Sequence, residues 1–283
     1  MKLSVVVPTR NRAALWRSGW LLDSLRAQSE PPDELVVAVD HPDDDTLTAV
    51  IEAGRRIPFP VRILEILAPR RGPNPASAVP DDCLIAASRG DILIHLDDDL
   101  SVGSHFCRRL RTLLDCDARA VIWPQLHFVN PDHSPISDAP PQDSRSARAA
   151  RMSWRTLPGG LIEMPRTESC HWGGAWAVKR AELLKIGGHC LQLAPFRNSD
   201  TRLGNRLVRS GCSSFLGAHR ELVTDHLGQT WFSTHRSDKE AIRVSRGATH
   251  GITIANGGQA FWTSTWIRDA FRELDITTGK PII

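Results

Sequence analysis

Three consecutive carboxylates close an apolar run in Ile92-Leu93-Ile94-His95-Leu96-Asp97-Asp98-Asp99. Like charges packed so closely repel one another unless a cation is shared among them. An extended backbone alternates its side chains, which predicts that Asp97 and Asp99 face the same way. Paired hard oxygen donors suit Mg2+ or Mn2+, and such an ion can also hold a diphosphate. The competing reading is a solvated turn leading into a helix N-terminus, where acids are favoured by the helix dipole. Another acid, Asp40, ends the apolar run Leu35–Val39.

The elements that must carry these acids follow from the pattern. Apolar runs at Leu3–Val7, Leu35–Val39, Val61–Ile66 and Ile92–Leu96 read as buried strands. Helical spacing over 14–28, 45–55, 81–89 and 106–114 separates or follows them. The alternation β-α-β-α-β-α-β-α predicts an α/β fold, a mostly parallel sheet with helices on its faces. Ligands of such sheets bind at the carboxyl ends of the strands, where Asp40 and Asp97–Asp99 stand.

The second half is less regular. Strands are expected at 121–128 and 172–178, with edge strands at 213–216 and 221–225. Short helices are expected at 179–186 and 200–210. Residues 130–151 are rich in Pro, Ser and Arg and read as a long loop. These patterns divide the chain into 1–233 and an extension at 234–283. The first part splits further into 1–115, which holds the acidic strand ends, and 116–233. The extension is expected to be a lid, or an arm that pairs two copies into a homodimer.

Composition excludes some chemistry. The chain has 283 residues and no tyrosine, so no tyrosine can act as nucleophile or proton donor. A short-chain dehydrogenase, which relies on one, is ruled out. Net charge is only +3, so nucleic acid is not expected as a partner. Residues 1–100 nevertheless carry 11 basic and 16 acidic groups, and the remainder 24 and 16. Arginines outnumber lysines 30 to 5, which supplies planar forks for phosphate or carboxylate. No apolar run reaches the roughly 18 residues of a membrane helix, and the opening run is too short for a signal peptide. Six scattered cysteines without a CxxC pair read as reduced thiols of a cytoplasmic enzyme. A zinc site from Cys170-His171 and His189-Cys190 ranks well behind that reading.

Several segments in order carry a family likeness. They are Ser4-Val5-Val6-Val7-Pro8-Thr9-Arg10-Asn11-Arg12, the strand ending at Asp40, and Gly90-Asp91 leading to Asp97-Asp98-Asp99. The last are Gly173-Gly174 and Gly187-Gly188. This series resembles the family 2 glycosyltransferases of the GT-A fold, well over 3–115 and 172–226, poorly over 130–160 and after 235. The resemblance implies an inverting transfer from a nucleotide-diphosphate sugar, most often a uridine one, to an acceptor that the sequence does not identify. It implies that Pro8, Thr9 and Asp40 line the base pocket, and that Arg10, Arg12 and Arg71 reach ribose and diphosphate. Asp97 and Asp98 would lie on the nucleotide sugar, with Asp97, Asp99 and His226 around Mn2+ or Mg2+. Asp200 matches the second acid of a pair that opens a helix in the family, with Ser199 in place of the first, and would be the general base. Trp172, Gly173 and Gly174 would wall the sugar or acceptor pocket.

Each role has a plainer counterpart. Asp40 and Asp200 could be turn or helix-cap acids, and His226 a structural histidine. The chain also departs from the family at His41-Pro42-Asp43-Asp44-Asp45, Pro73-Asn74-Pro75 and Val79-Pro80-Asp81-Asp82. These leave base and sugar identity open. A second class, a nucleotide-sugar-binding scaffold without turnover, stays in view. A nucleotidyltransferase does not fit, because Thr9-Arg10-Asn11-Arg12 is not a glycine-rich phosphate loop.

Overall fold

The computed structural model describes residues 1–42, 44–67, 78–130, 132, 134, 156–157, 161–164, 174–189, 199–217, 219–227 and 269–282. Four parallel strands form its centre: β1 (Leu3–Thr9), β2 (Glu34–Val39), β3 (Val61–Ile66) and β4 (Ile92–Leu96), in the spatial order β3-β2-β1-β4. Beyond β4 come β9 (Ala175–Lys179), then β6 (Ala120–Val129) and β10 (Ser213–Gly217). The sheet ends with β8 (Leu161–Glu163) and β7 (Thr156–Leu157). On the other side β12 (Phe271–Leu274) closes the edge beside β3. Off this path, β11 (Val223–Leu227) lies between β6 and β5 (Leu100–Val102).

The central strands are apolar throughout because both faces are covered. Val5, Val7, Leu35, Val37, Ile92 and Ile94 face one layer. That layer is built by α1 (Ala13–Ser18), α2 (Trp20–Arg26), α3 (Thr46–Gly54) and α5 (Phe106–Cys116). Val6, Val36, Ala38 and Leu93 face the other. There α4 (Ala78–Ala87), α6 (Arg180–Ile186) and α7 (Ser199–Arg209) supply Cys83, Leu84, Leu183, Leu203 and Leu207.

The helix expected over 14–28 is broken in two at Gly19, whose φ of +79° only glycine adopts at little cost. The strands near 213 and 223 are not edges: β10 lies between β6 and β8, and β11 between β5 and β6. β6 is long enough, at 10 residues, to pair with β9 and β10 at one end and β11 at the other. The loop expected at 130–151 falls outside the described residues except at 130, 132 and 134.

The described end of the extension, 269–282, docks on its own chain. β12 pairs antiparallel with β3, Phe271 opposite Ile66 and Leu274 opposite Ile63. Arg62 grips Glu273 with Nε–Oε1 at 2.7 Å and Nη2–Oε2 at 2.6 Å. Arg272 meets Glu65 at 2.6 Å. Arg55 donates to the carbonyls of Ile276 and Thr277 at 2.8 and 2.5 Å. Ile276 fills the space where Gly54 lacks a side chain.

Candidate active site

The sheet delivers its polar residues to the carboxyl edge. Thr9 ends β1, and Asp40 follows β2 with its N–H donated to the Thr9 carbonyl at 2.9 Å. Pro8 and Arg10 flank Thr9 and are partly buried. Just beyond these strand ends, Asn11 and His41 hold left-handed backbone, φ +52° and +42°. Non-glycine residues in that region cluster where function fixes the backbone. His41 Nδ1 lies 3.0 Å from Oδ1 of the buried Asp40.

The chain leaves β4 at Leu96 and turns at once, with the Leu100 N–H 3.3 Å from the Asp97 carbonyl. The alternation argument for Asp97 and Asp99 therefore does not apply, because the three acids lie on a turn and not on extended backbone. Asp97 is partly exposed, whereas Asp98 and Asp99 are buried. Asp98 Oδ2 accepts from Thr9 Oγ1 at 2.5 Å, and Thr9 Oγ1 accepts from Trp16 Nε1 at 2.8 Å. The Arg12 guanidinium spans both acids, 3.8 Å from Asp98 Oδ1 and 3.9 Å from Asp99 Oδ2. Its backbone N–H is held by Thr46 Oγ1 at 2.7 Å. Burial, and then the charge of Asp99, push the Asp98 carboxyl up to about 7, against the pull of Arg12 and Thr9.

From the other side β11 brings His226, whose Nε2 is 3.4 Å from Asp99 Oδ1. The Leu227 N–H donates to the Asp99 carbonyl at 3.1 Å. The Asp97 N–H donates to the Gly174 carbonyl at 2.7 Å. Gly174 has φ +109°, and a Cβ there would stand 3.1 Å from Leu126 Cδ1 and 3.8 Å from Asp97 Oδ2. Only glycine allows this close approach at that backbone angle.

Pro8, Thr9, Arg10, Arg12, Asp40, Asp97, Asp98, Asp99, Gly174 and His226 are thus gathered along one edge. Asp200 is the second residue of α7, and its side chain lies outside the description. Arg71, Trp172 and Gly173 lie outside the described residues. Sequence reasoning missed Trp16, which carries no motif; the only hint is that a buried indole N–H needs an acceptor. Among the described residues no group of three or more His, Cys, Asp or Glu side chains is arranged to hold a metal ion. Asp99 and His226 form a two-donor pair.

Residues 4–181 match the model of glycosyl transferase family 2. The chain belongs to this family. Sequence comparison with curated proteins gave no match. Among solved structures, this family member resembles GalNAc-T7 with UDP, GalNAc and Mn2+ (TM-score 0.57, 14% identity), covering 80% of this chain and 43% of that one. It also resembles S. aureus TarS 1–349 in complex with UDP-GlcNAc (TM-score 0.58, 18% identity), covering 80% and 58%. TarS 1–349 alone gives TM-score 0.58 at 17% identity, covering 93% and 68%. At these identities the likeness is one of fold, the GT-A architecture. The chain spans less than half the length of the GalNAc-T7 chain.

Proposed function

We propose that this glycosyltransferase moves a sugar with inversion from a UDP-linked donor to an acceptor nucleophile, with Mn2+ or Mg2+ on the diphosphate and Asp200 as general base. The observation that carries the reading is the convergence of Thr9, Arg12, Asp40, Asp97–Asp99 and His226 on one sheet edge from β1, β2, β4 and β11. UDP or a UDP-sugar is present in structures of the similar fold, which supports the choice of base.

Asp40 accepts the imide N–H of the uracil, beside Pro8 and Thr9. Arg10, Arg12 and Arg71 meet ribose and diphosphate oxygens. Arg12 also offsets the repulsion of the paired acids it spans, while Asp98, tied to Thr9, fixes the turn. Asp99 and His226, with Asp97 alongside, would hold the ion, and a site of so few protein donors fits a metal that takes phosphate oxygens as further ligands. When bound, the ion offsets the charge that grows on the leaving diphosphate. Trp172, Gly173 and Gly174 wall the sugar, and Gly174 keeps that wall close to Asp97. Asp200 takes the acceptor proton as the nucleophile attacks the anomeric carbon from the face opposite the leaving group. With tyrosine absent, carboxylates and histidines remain as proton acceptors.

No helix among the described residues is long and apolar enough to cross a membrane. Free thiols at Cys83, Cys107, Cys116 and Cys212 support a cytoplasmic setting. The test is calorimetric titration with UDP and other nucleoside diphosphates, with Mn2+ or with a chelator. Turnover of the Asp200→Asn variant is then measured. UDP should bind only with metal, and the variant should lose turnover but keep UDP. Parental turnover in Asp200→Asn removes the base assignment, and absence of UDP binding removes the donor.

A further inference from the structure

A second polar cluster is buried on the face of the sheet that α4 and α6 cover. Asp81 and the following Asp82 come from the N-terminal half of α4, His95 from β4, and His189 from the turn after α6. His95 Nε2 lies 3.1 Å from Asp81 Oδ1. His189 Nε2 lies 3.9 Å from Asp81 Oδ2, and His189 Nδ1 3.4 Å from Asp82 Oδ1. The His189 backbone N–H donates to Asp82 Oδ1 at 2.7 Å. Trp176 stacks on His95 with ring centres 4.9 Å apart and planes 10° apart. Its ring lies 6.1 Å from that of His189. The His189 side chain is 0% exposed and that of Asp82 2%.

These four are not among the nucleotide-sugar and metal residues above, and the core around them is otherwise apolar: Val79, Cys83, Leu84, Leu183 and Leu203. Ionisable groups taken out of water cost several kcal/mol each, and an apolar filling of equal volume is often as stable or more so. What directional bonds add is geometry, because they fix which turn rests on which strand.

The two ends of the cluster reach different parts of the site. His95 of β4 lies opposite Trp176, and two residues further on Asp97 is bonded to Gly174. At the other end, Gly187 and Gly188 both hold left-handed backbone, φ +72° and +66°, and so turn His189 into the core. The carbonyls of Ile186 and Gly188 are both gripped by the Arg206 guanidinium of α7. Asp200 stands in the first turn of that helix. A path therefore runs from Asp97 back along the backbone to His95, across its bond to Asp81, through the adjoining Asp82 to the His189 N–H, and by the neighbouring Gly188 carbonyl to Arg206 of α7.

We propose that Asp81, Asp82, His95 and His189 are positioning residues, a buried brace that sets the donor-side acids of β4 at a fixed distance from the helix carrying the base. The inference rests on the proposed role of Asp200. Displacement from opposite faces of a sugar demands that spacing, and an error of about 1 Å costs on the order of 100-fold in rate. The donor-side acids keep anchors of their own outside the brace, Asp97 on the Gly174 carbonyl, Asp98 on Thr9 and Asp99 on the Leu227 N–H, so its loss should displace α7, act on kcat and spare the donor KM.

The experiment uses His95→Phe, which keeps a ring on Trp176 and removes the bond to Asp81, beside His95→Gln, whose amide N–H can replace Nε2. UDP release from the donor gives kcat and KM. Amide hydrogen exchange of the free protein reports on Leu96–Leu100 and Ser199–Arg209. His95→Phe should lower kcat about tenfold or more, leave donor KM within about threefold, and raise exchange at Ser199–Arg209 about fivefold. His95→Gln should recover most of both. Parental kcat and exchange in His95→Phe would overturn the brace, as would equal defects in the two variants. If His95→Phe does not fold, Asp82→Ala, which removes the acceptor of the His189 N–H, takes its place, with Asp82→Asn, which keeps an acceptor oxygen, as the variant that should recover. A parent protein that turns over no nucleotide sugar refutes the proposed function instead, and the exchange at Ser199–Arg209 then decides the brace alone.

Discussion

Thr9→Val removes one oxygen from the centre of the site and little else. The Thr9 hydroxyl donates to Asp98 at 2.5 Å and accepts from the Trp16 indole at 2.8 Å, in a residue only 4% exposed. Valine keeps the shape. The hydrogen bond to a carboxylate is worth about 1.5–3 kcal/mol, and an orphaned buried indole N–H costs about 1–3 more. The total is about 2.5–6 kcal/mol. For a chain of this size each kcal/mol moves the unfolding midpoint about 2–4 °C, so a drop of about 5–24 °C is expected. Thr9→Ser is the matched control, since it keeps both bonds and loses one methyl, about 1 kcal/mol. Urea unfolding followed by tryptophan fluorescence compares the two, and calorimetry with UDP reads the site, where Asp98 would no longer be anchored. A Thr9→Val protein as stable as Thr9→Ser would refute the reasoning, because the hydroxyl would then carry no structural load.

Other outcomes follow from features away from that oxygen. Arg62 holds the Glu273 carboxyl below its ordinary range, so the pair stabilises the fold fully above about pH 4.3 and loses this as the pH falls through the lowered value. Glu273→Gln should flatten that acid limb, and an unchanged stability–pH curve would contradict it. Gly174→Ala puts a Cβ 3.1 Å from Leu126 at φ +109°, a strain of about 1–3 kcal/mol that displaces the carbonyl bonded to Asp97. UDP binding with Mn2+ should weaken even where the fold survives. Burial raises the Cys107 thiol to about 12, raises Cys212 to about 11 and pushes Cys83 up as well, whereas Cys116 is exposed. Mass spectrometry after brief alkylation should therefore find Cys116 labelled, and those three unlabelled until the protein unfolds.

The central strands were legible because a sheet buried on both faces leaves largely apolar runs, as in Leu3–Val7 and Leu35–Val39. Strand ends then announced Asp40 and Asp97–Asp99, and the His226 beside Asp99 was reached through the family likeness. What stayed hidden depends on long-range pairing. β12 is four residues of mixed polarity whose strand character comes from β3 and not from its own pattern. β5 is three residues, specified by β11. The turn at Asp98–Asp99 defeated an argument from strand periodicity, because the backbone bends one residue after β4. The brace was visible only as a departure from the family at Asp81-Asp82, since nothing local in a sequence says that His95 and His189 meet.

The pairing of β12 with β3 bears on solubility. Val61-Arg62-Ile63-Leu64-Glu65-Ile66 is rich in β-branched and apolar residues, and without β12 its outer backbone groups would offer a template to another chain. Arg62 and Glu65 are the two charges in that stretch, and each is matched by a residue of β12, Glu273 and Arg272. The same charges that set the register of the covering strand act as gatekeepers when it detaches. Conditions that release residues 269–282 are therefore where self-association through β3 should begin, before the nucleotide end of the sheet loses its structure.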